Sequence, residues 1–226
     1  MQESSRQIVQ RLLKEQGFVR PRDLRALGIR PDRLRQLEAR GELTRIARGL
    51  YVASDAEPTR DQALAVVAGR VPRGVICLLT ALRLHGFRTQ NSTEIWLAIA
   101  QGTARPCIED PPLRVVWFSK HAMTQGVEER RIEGVTVRVT SAWRTVVDCF
   151  KHRNKVGLET AVRALRAYRR RRDFAADEIW RYATLQRVAR VMTPHLKQLG
   201  VVEMTSWAGG EERDRRNDKP SRHSRG

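Results

Sequence analysis

The sequence has few of the residues that would define several classes of protein. Only three cysteines occur, Cys77, Cys107 and Cys149, and their number and wide spacing exclude a disulfide framework or a zinc ribbon. No apolar run approaches the roughly 20 residues that a membrane-spanning helix needs. The polar beginning, Met1 to Arg6, does not have the pattern of a secretory signal. We therefore expect a cytoplasmic protein that does not span a membrane.

Acidic residues are also scarce relative to basic ones. Lys and Arg total 43 against 25 Asp and Glu, so the formal net charge is +18. Apolar residues make up 41% of the chain, which is enough for a sizeable core and argues against disorder throughout. Surplus positive charge on a folded chain indicates a polyanionic partner, either a nucleic acid or an acidic membrane surface.

Residues 1–54 have the pattern of three short helices followed by a hairpin. Each predicted helix has a start signal and a stop signal. The start signals are Ser4 with Gln7, Pro21 and Pro31, and the stop signals are Gly17, Gly28 and Gly41. Two short β-like runs, 43–46 and 50–52, then surround Arg48 and Gly49. This order is typical of a winged helix-turn-helix, so we predict a DNA-binding domain over 1–54.

The rest of the sequence has the pattern of a mixed α/β domain. Together with the winged helix-turn-helix, this predicts an α+β fold class for the chain. Residues 55–60 are interpreted as a linker, 61–204 as the mixed domain and 205–226 as a disordered basic tail. The predicted strands are 95–99 and 113–118, both expected to be buried on nearly both faces, and a hairpin around Glu133 and Gly134. The predicted helices are 62–71, 77–85, 141–153, 158–168, 179–191 and 194–199.

The third helix has the pattern of a recognition helix. On a helical wheel Leu34 and Leu37 define the core face. Arg35 and Gln36 then point outward, and Arg33 and Arg40 lie on one flank. Arg30 precedes the helix, and two further arginines belong to the wing, from which they could reach phosphates or the minor groove. The predicted DNA contacts are Arg30, Arg33, Arg35, Gln36, Arg40, Arg45 and Arg48.

A second basic concentration lies in residues 163–190, with nine arginines against three acids. Positive charges at the C-terminal end of a helix interact favourably with the helix dipole, which accounts for one or two of these arginines. Four consecutive arginines exceed that need, so a patch for nucleic acid or for an acidic partner is as plausible as a structural role. The patch comprises Arg163, Arg166, Arg169, Arg170, Arg171 and Arg172.

No pattern indicates catalysis, a metal or a cofactor. A phosphate-binding glycine loop ending in Lys-Ser/Thr and a Gly-x-Ser-x-Gly elbow are both missing. Cys149 and His152 cannot fill four zinc positions, and Cys149 is expected to be a buried structural thiol. His85, before Gly86, is expected to serve capping or core packing. The carboxylates are scattered, so we predict that the protein is not an enzyme, with a nuclease as the least favoured alternative.

Several motifs, in order along roughly residues 6–200, resemble the AbiEi family, the antitoxins and regulators of type IV toxin–antitoxin (abortive infection) systems. The motifs are Gly17-Phe18-Val19, Leu37-x-x-x-Gly41-x-Leu43, Arg45-Ile46-Ala47-Arg48-Gly49-Leu50-Tyr51, Thr80-Ala81-Leu82-x-x-His85-Gly86 and Thr140-Ser141-x-x-Arg144-Thr145-Val146-Val147-Asp148. The first three belong to a winged-helix segment, residues 6–53. One departure is Ala142-Trp143, where many relatives carry Pro-Glu.

The resemblance implies a DNA-binding repressor that autoregulates its own operon, with operators that are inverted repeats if two copies bind side by side. It also implies a C-terminal domain that counters a cognate toxin or protects its target, the toxin being typically a nucleotidyltransferase. The last two motifs would be structural signatures of that domain. The alternative from another class is an interaction module, in which the winged helix binds a protein and the basic patches bind RNA or an acidic partner.

Overall fold

The computed structural model describes residues 4–47, 49–55, 59–88 and 93–201. The predicted tail, 205–226, lies outside the described residues, and so does Arg48 of the predicted wing. The chain divides into two compact units, Met1–Thr145 and Val146–Gly226. The predicted linker, 55–60, falls inside the first unit, so the predicted domain boundaries stay a prediction. None of the described helices is both long enough and apolar enough to cross a membrane.

The first unit begins with a winged helix-turn-helix. Its helices are α1 (Ser5–Gln16), α2 (Pro21–Ala26) and α3 (Asp32–Ala39), and its hairpin is β1 (Leu43–Ala47) with β2 (Leu50–Ala53). The two strands pair antiparallel with an irregularity between Arg45 and Ala47. An isolated bridge between Val19 and Tyr51 adds the chain before α2 to this small sheet.

The start and stop signals of the sequence act as predicted. The Ser4 hydroxyl accepts a hydrogen bond from the Gln7 amide, and the Gln7 side chain accepts one from the Ser4 amide, which completes a capping box. α1 ends at Gly17, whose φ of 74° is left-handed. Pro21 begins α2. The three helices bury their apolar faces on one another, and the resulting core contains Val9, Val19, Leu24, Leu34, Leu37, Leu43 and Tyr51.

The rest of the first unit is a five-stranded mixed sheet with helices. Its elements are α4 (Arg60–Arg70), β3 (Val75–Ile76), α5 (Leu78–Leu84), β4 (Ile95–Ala100), β5 (Leu113–Phe118), β6 (Val127–Ile132) and β7 (Val135–Thr140). The strand order is β5-β4-β3-β7-β6. β4 pairs parallel with β5, and β3 pairs parallel with β7. β3 and β4 pair antiparallel, as do β6 and β7. Apolar side chains of α4 and of four strands form one core under the sheet.

The predicted hairpin around Glu133 and Gly134 is confirmed, and other details of the sheet differ from the prediction. β3 was not predicted, because two apolar residues between Gly74 and a helix carry no strand periodicity. β5 is not buried on both faces, since Arg114 and Trp117 are exposed. Among the described strands, β5 lies at an edge of the sheet and pairs on one side only.

The second unit is helical. α6 (Ala142–Lys151) begins in the first unit and ends in the second. It is followed by α7 (Arg153–Val156), α8 (Leu158–Arg169), α9 (Ala176–Leu185) and α10 (Ala189–Gln198). Their buried side chains include Phe150, Val156, Leu165, Tyr168, Ile179, Tyr182, Met192 and Leu196. Cys149 is fully buried, as expected, and burial raises the pKa of its thiol.

One expectation about the second unit is wrong. The break between the last two helices does not lie just before Pro194, as predicted. It lies at 186–188, where Arg187 adopts a left-handed φ of 59°. Pro194 lies inside α10, although its missing N–H would have bonded to the Arg190 carbonyl. Leu158, the first residue of α8, is 44% exposed.

Candidate nucleic-acid interface

α3 has one buried face and one exposed face. Leu34 and Leu37 are buried in the core of the winged helix. Arg35 and Gln36 are exposed on the opposite side, as the helical wheel predicts, and Arg40, at the end of the helix, is also exposed. The exposed face therefore offers guanidinium and amide donors in the arrangement that a helix needs to read base edges in a major groove.

Arg33 and Gln36 are joined in the free protein. Arg33 is half-buried, and its Nη1 donates a hydrogen bond of 2.7 Å to Gln36 Oε1. The Arg33 Nε is buried and has no hydrogen-bond partner among the described residues. Because the two residues are three apart on one helix, they are surface neighbours. Either side chain thus limits the orientation of the other.

Arg30 and Asp32 form an exposed ion pair at the start of α3. Their side chains are 87% and 47% exposed, and Arg30 Nη2 lies 3.1 Å from Asp32 Oδ2. An exposed pair of this kind contributes little to stability because water screens it. Arg30 can therefore exchange its carboxylate partner for a phosphate.

The wing contributes Arg45, which is exposed in β1 opposite Tyr51 in the register of the hairpin. Beside it the Thr44 hydroxyl bonds to the Ser54 hydroxyl at 3.1 Å, which ties the base of the hairpin together. Arg48, the other predicted wing contact, lies outside the described residues. The wing therefore exposes Arg45 to solvent on a two-stranded hairpin.

The second basic patch lies at the end of α8. Arg171 makes a bidentate pair with Asp173: its Nε donates to Oδ1 at 2.8 Å and its Nη2 donates to Oδ2 at 3.0 Å. The Arg163 guanidinium lies 3.8 Å from Glu159, and that of Arg169 lies over the Phe174 ring. The side chains of the other three members make no hydrogen bond or ion pair with a described residue and are exposed: Arg166, Arg170 and Arg172.

Two of the motifs that resemble the AbiEi family, residues 80–86 and 140–148, contact each other in the structure. His85 Nε2 lies 2.6 Å from the Thr140 carbonyl oxygen, and the Thr145 hydroxyl lies 2.7 Å from that of Thr140. Thr80 accepts a hydrogen bond from the backbone of Trp96 in β4. All these groups are buried, so the motifs serve the fold. Among the described residues no group of three His, Cys, Asp or Glu side chains could hold a metal ion.

Two buried contacts near the predicted interface have no signal in the sequence. The Gln62 amide of α4 donates a hydrogen bond of 2.9 Å to the Gly17 carbonyl at the end of α1. Arg20, before α2, pairs with Glu133 in the turn between β6 and β7. Both contacts join residues far apart in the chain, which no local pattern can bring together. They attach the winged helix to α4 and to the β6–β7 turn of the first unit.

Comparisons with known proteins bear on the first part of the chain. The comparison with curated proteins gives no match. Among solved structures, the chain is similar to the crystal structure of the RV2827C protein from Mycobacterium tuberculosis, with 15% sequence identity, a TM-score of 0.44, and coverage of 84% of this chain and 80% of that one. Residues 6–54 match the family model described as "Transcriptional regulator, AbiEi antitoxin". The resemblance to AbiEi antitoxin regulators that the motifs indicate is therefore confirmed for residues 6–54.

Proposed function

We propose that the protein is a DNA-binding transcriptional repressor that autoregulates a toxin–antitoxin operon. The observation that carries the proposal is the exposed face of α3, which presents Arg35, Gln36 and Arg40 opposite a buried leucine pair. The match of residues 6–54 to a family described as transcriptional regulator and antitoxin supports it. A repressor of this kind acts on the nucleoid in the cytoplasm and has no catalytic role.

Each predicted contact has its own part in this proposal. The pair of Arg33 and Gln36 reads base edges, together with Arg35 and Arg40 from the same helix. Arg30 binds a phosphate near the start of α3. From the wing, Arg45 and Arg48 contact the DNA backbone beside the groove.

The second part of the proposal concerns a toxin. The family description includes the word antitoxin, and we propose that the chain counteracts a cognate toxin of the nucleotidyltransferase type or protects its target. The exposed arginines at the end of α8, Arg166, Arg170 and Arg172, are the surface proposed for an acidic partner or for nucleic acid. Co-expression tests this part. The chain should relieve growth arrest caused by a nucleotidyltransferase-like protein encoded next to it.

The DNA part is tested by titrating the full chain against duplexes from upstream of its own operon and against shuffled duplexes of equal composition. We expect binding to the upstream duplex to be about 10³-fold tighter or more. Affinity for both duplexes should fall steeply as salt rises from about 50 to about 200 mM. Arg45→Gln should lower the slope of log affinity against log salt by about 0.9, the loss of one phosphate contact.

Arg11→Gln is a matched control for Arg45→Gln. Arg11 is exposed on α1 and lies 3.9 Å from Glu15, and its replacement removes the same charge from the same domain. We expect its salt slope to stay at the wild-type value. Equal affinity for the upstream and shuffled duplexes, or no salt dependence, contradicts the repressor and favours the interaction module.

A further inference from the structure

Arg20 stands just before α2, and its side chain is withdrawn from solvent. Only 14% of this side chain is exposed, against 16% of that of Glu133, and Arg20 Nη2 lies 3.9 Å from Glu133 Oε2. The guanidinium carbon also lies 4.3 Å from the centre of the Phe18 ring. A basic residue of the winged helix is thus held between an aromatic ring and a carboxylate, away from the solvent that a DNA backbone would occupy.

The turn that carries Glu133 is shaped around this guanidinium. Glu133 and Gly134 both have left-handed φ values, 48° and 70°. A Cβ atom on Gly134 would lie 2.7 to 2.8 Å from three atoms of the Arg20 guanidinium. Glycine at 134 therefore satisfies two requirements, the conformation of the turn and the close approach of Arg20.

A second buried contact lies beside the first. Gln62 is 3% exposed, and its Nε2 donates to the Gly17 carbonyl while its Oε1 accepts from the Thr59 amide. The beginning of α4 thus holds the end of α1, and the β6–β7 turn holds the chain before α2. Together with the packing of α4 against β1, these two contacts hold the winged helix on the rest of the first unit at separate points.

The ion pair is sensitive to the loss of either partner. Burial raises the pKa of Glu133, and the positive charge of Arg20 opposes that shift. Removal of Arg20 would leave a desolvated carboxylate without its counter-charge, which costs much more than the net contribution of an intact pair.

We infer that Arg20 and Glu133 form a latch that fixes the winged helix on the β6–β7 turn and so sets the position of α3. Arg20 is then a positioning residue and does not contact phosphate. The consequence for DNA rests on the proposed function, whereas the latch itself does not. It makes the winged helix and the sheet of the first unit one body, in which the recognition helix cannot turn independently.

The first test measures amide hydrogen exchange in the full chain without DNA. The variants are Glu133→Gln, Arg20→Gln and the double variant, and the matched control is Glu129→Gln, which removes an exposed charge from the same hairpin. We expect exchange at Val19 and in α2 to be about five-fold faster in either single variant than in the control. The double variant should be no faster than the faster of the two single variants, because it removes both charges and leaves neither of them buried without its partner.

The second test measures DNA affinity against salt. Arg20→Gln should weaken specific binding, because α3 loses its fixed position, and leave the salt slope unchanged. A slope reduced by about 0.9 would show that Arg20 binds a phosphate and would overturn the latch. Exchange in Glu133→Gln equal to that of the control, or additive effects in the double variant, would overturn it as well. If the wild-type chain binds no DNA, the proposed function fails and the exchange experiment alone decides on the latch.

Discussion

His85 links the two family-like motifs through one buried hydrogen bond, from its Nε2 to the Thr140 carbonyl oxygen at 2.6 Å. Its other ring nitrogen, Nδ1, lies 2.8 Å from the Arg130 guanidinium. Because arginine can only donate, Nδ1 must accept, and the ring is neutral with its proton on Nε2. The end of α5 is thus joined to the end of β7 and to β6 by one side chain.

Replacement of His85 should therefore destabilise the first unit. We expect His85→Ala to lower the free energy of unfolding by about 1–3 kcal/mol, because it removes the buried hydrogen bond to Thr140 and one of the acceptors of the Arg130 guanidinium. Chemical denaturation monitored by circular dichroism measures this change. His121→Ala, at an exposed position, is the control and should stay within about 0.5 kcal/mol of wild type. Equal effects of the two replacements would contradict the structural role of His85.

The core of the winged helix depends on Leu34. We expect Leu34→Ala to cost about 2–5 kcal/mol, the range for a buried leucine truncated in a packed core. Thermal unfolding followed by circular dichroism gives the comparison with Leu27→Ala, which truncates a leucine that is 48% exposed in the same domain. DNA binding should be lost with the fold in the first variant and kept in the second. A Leu34 variant as stable as the Leu27 variant would be incompatible with the buried face of α3.

The hydrogen bond between Arg33 and Gln36 predicts non-additive effects on DNA recognition. We expect Arg33→Ala and Gln36→Ala each to cost about 1–3 kcal/mol in binding to the specific duplex, with a smaller loss on a shuffled one. The double variant should cost less than the sum of the singles, because each replacement also releases the other side chain. A double-mutant cycle by fluorescence anisotropy measures the coupling. Strict additivity would show that the two residues act independently.

His152 predicts an acid-sensitive second unit. Burial first, and then the positive charges of Lys151 and Lys155, lower the pKa of His152 to about 4. Its unfolded value is about 6.5, so the unfolded chain binds more protons between these values, and stability falls as pH is lowered from 6.5 towards 4. We expect His152→Gln to flatten this part of the stability curve, measured by urea denaturation at several pH values. His121→Gln controls for the loss of a histidine, and an unchanged slope in His152→Gln would contradict the prediction.

The sequence was most informative where one residue determines a boundary. Ser4, Gly17 and Pro21 restrict the backbone or bond to it locally, so the helices of the winged domain could be predicted from them. The exposed face of α3 followed from the spacing of Leu34 and Leu37, which is a property of a single helix.

Features that depend on distant residues could not be predicted in this way. The break before α10 lies where Arg187 adopts a left-handed backbone conformation. Arginine rarely adopts this conformation, so the sequence gives no sign of it. β3 exists because β4 and β7 flank it. The contact between Arg20 and Glu133 requires the whole sheet to bring the turn to α2. Whether the predicted arginines contact DNA stays a prediction, because that depends on a partner and not on the chain alone.

The ion pair between Arg30 and Asp32 bears on how a DNA-binding protein finds its specific site among random sequences. An arginine held by a carboxylate of its own chain binds a random duplex less tightly than a free one, because a phosphate must first displace the carboxylate. Under the proposed function, base contacts of the neighbouring residues compensate for that displacement on an operator, whereas random sequence offers no such contacts. Because the pair is exposed and weak, the effect of this one residue is small, but under the proposed function it favours release from random DNA over release from the operator.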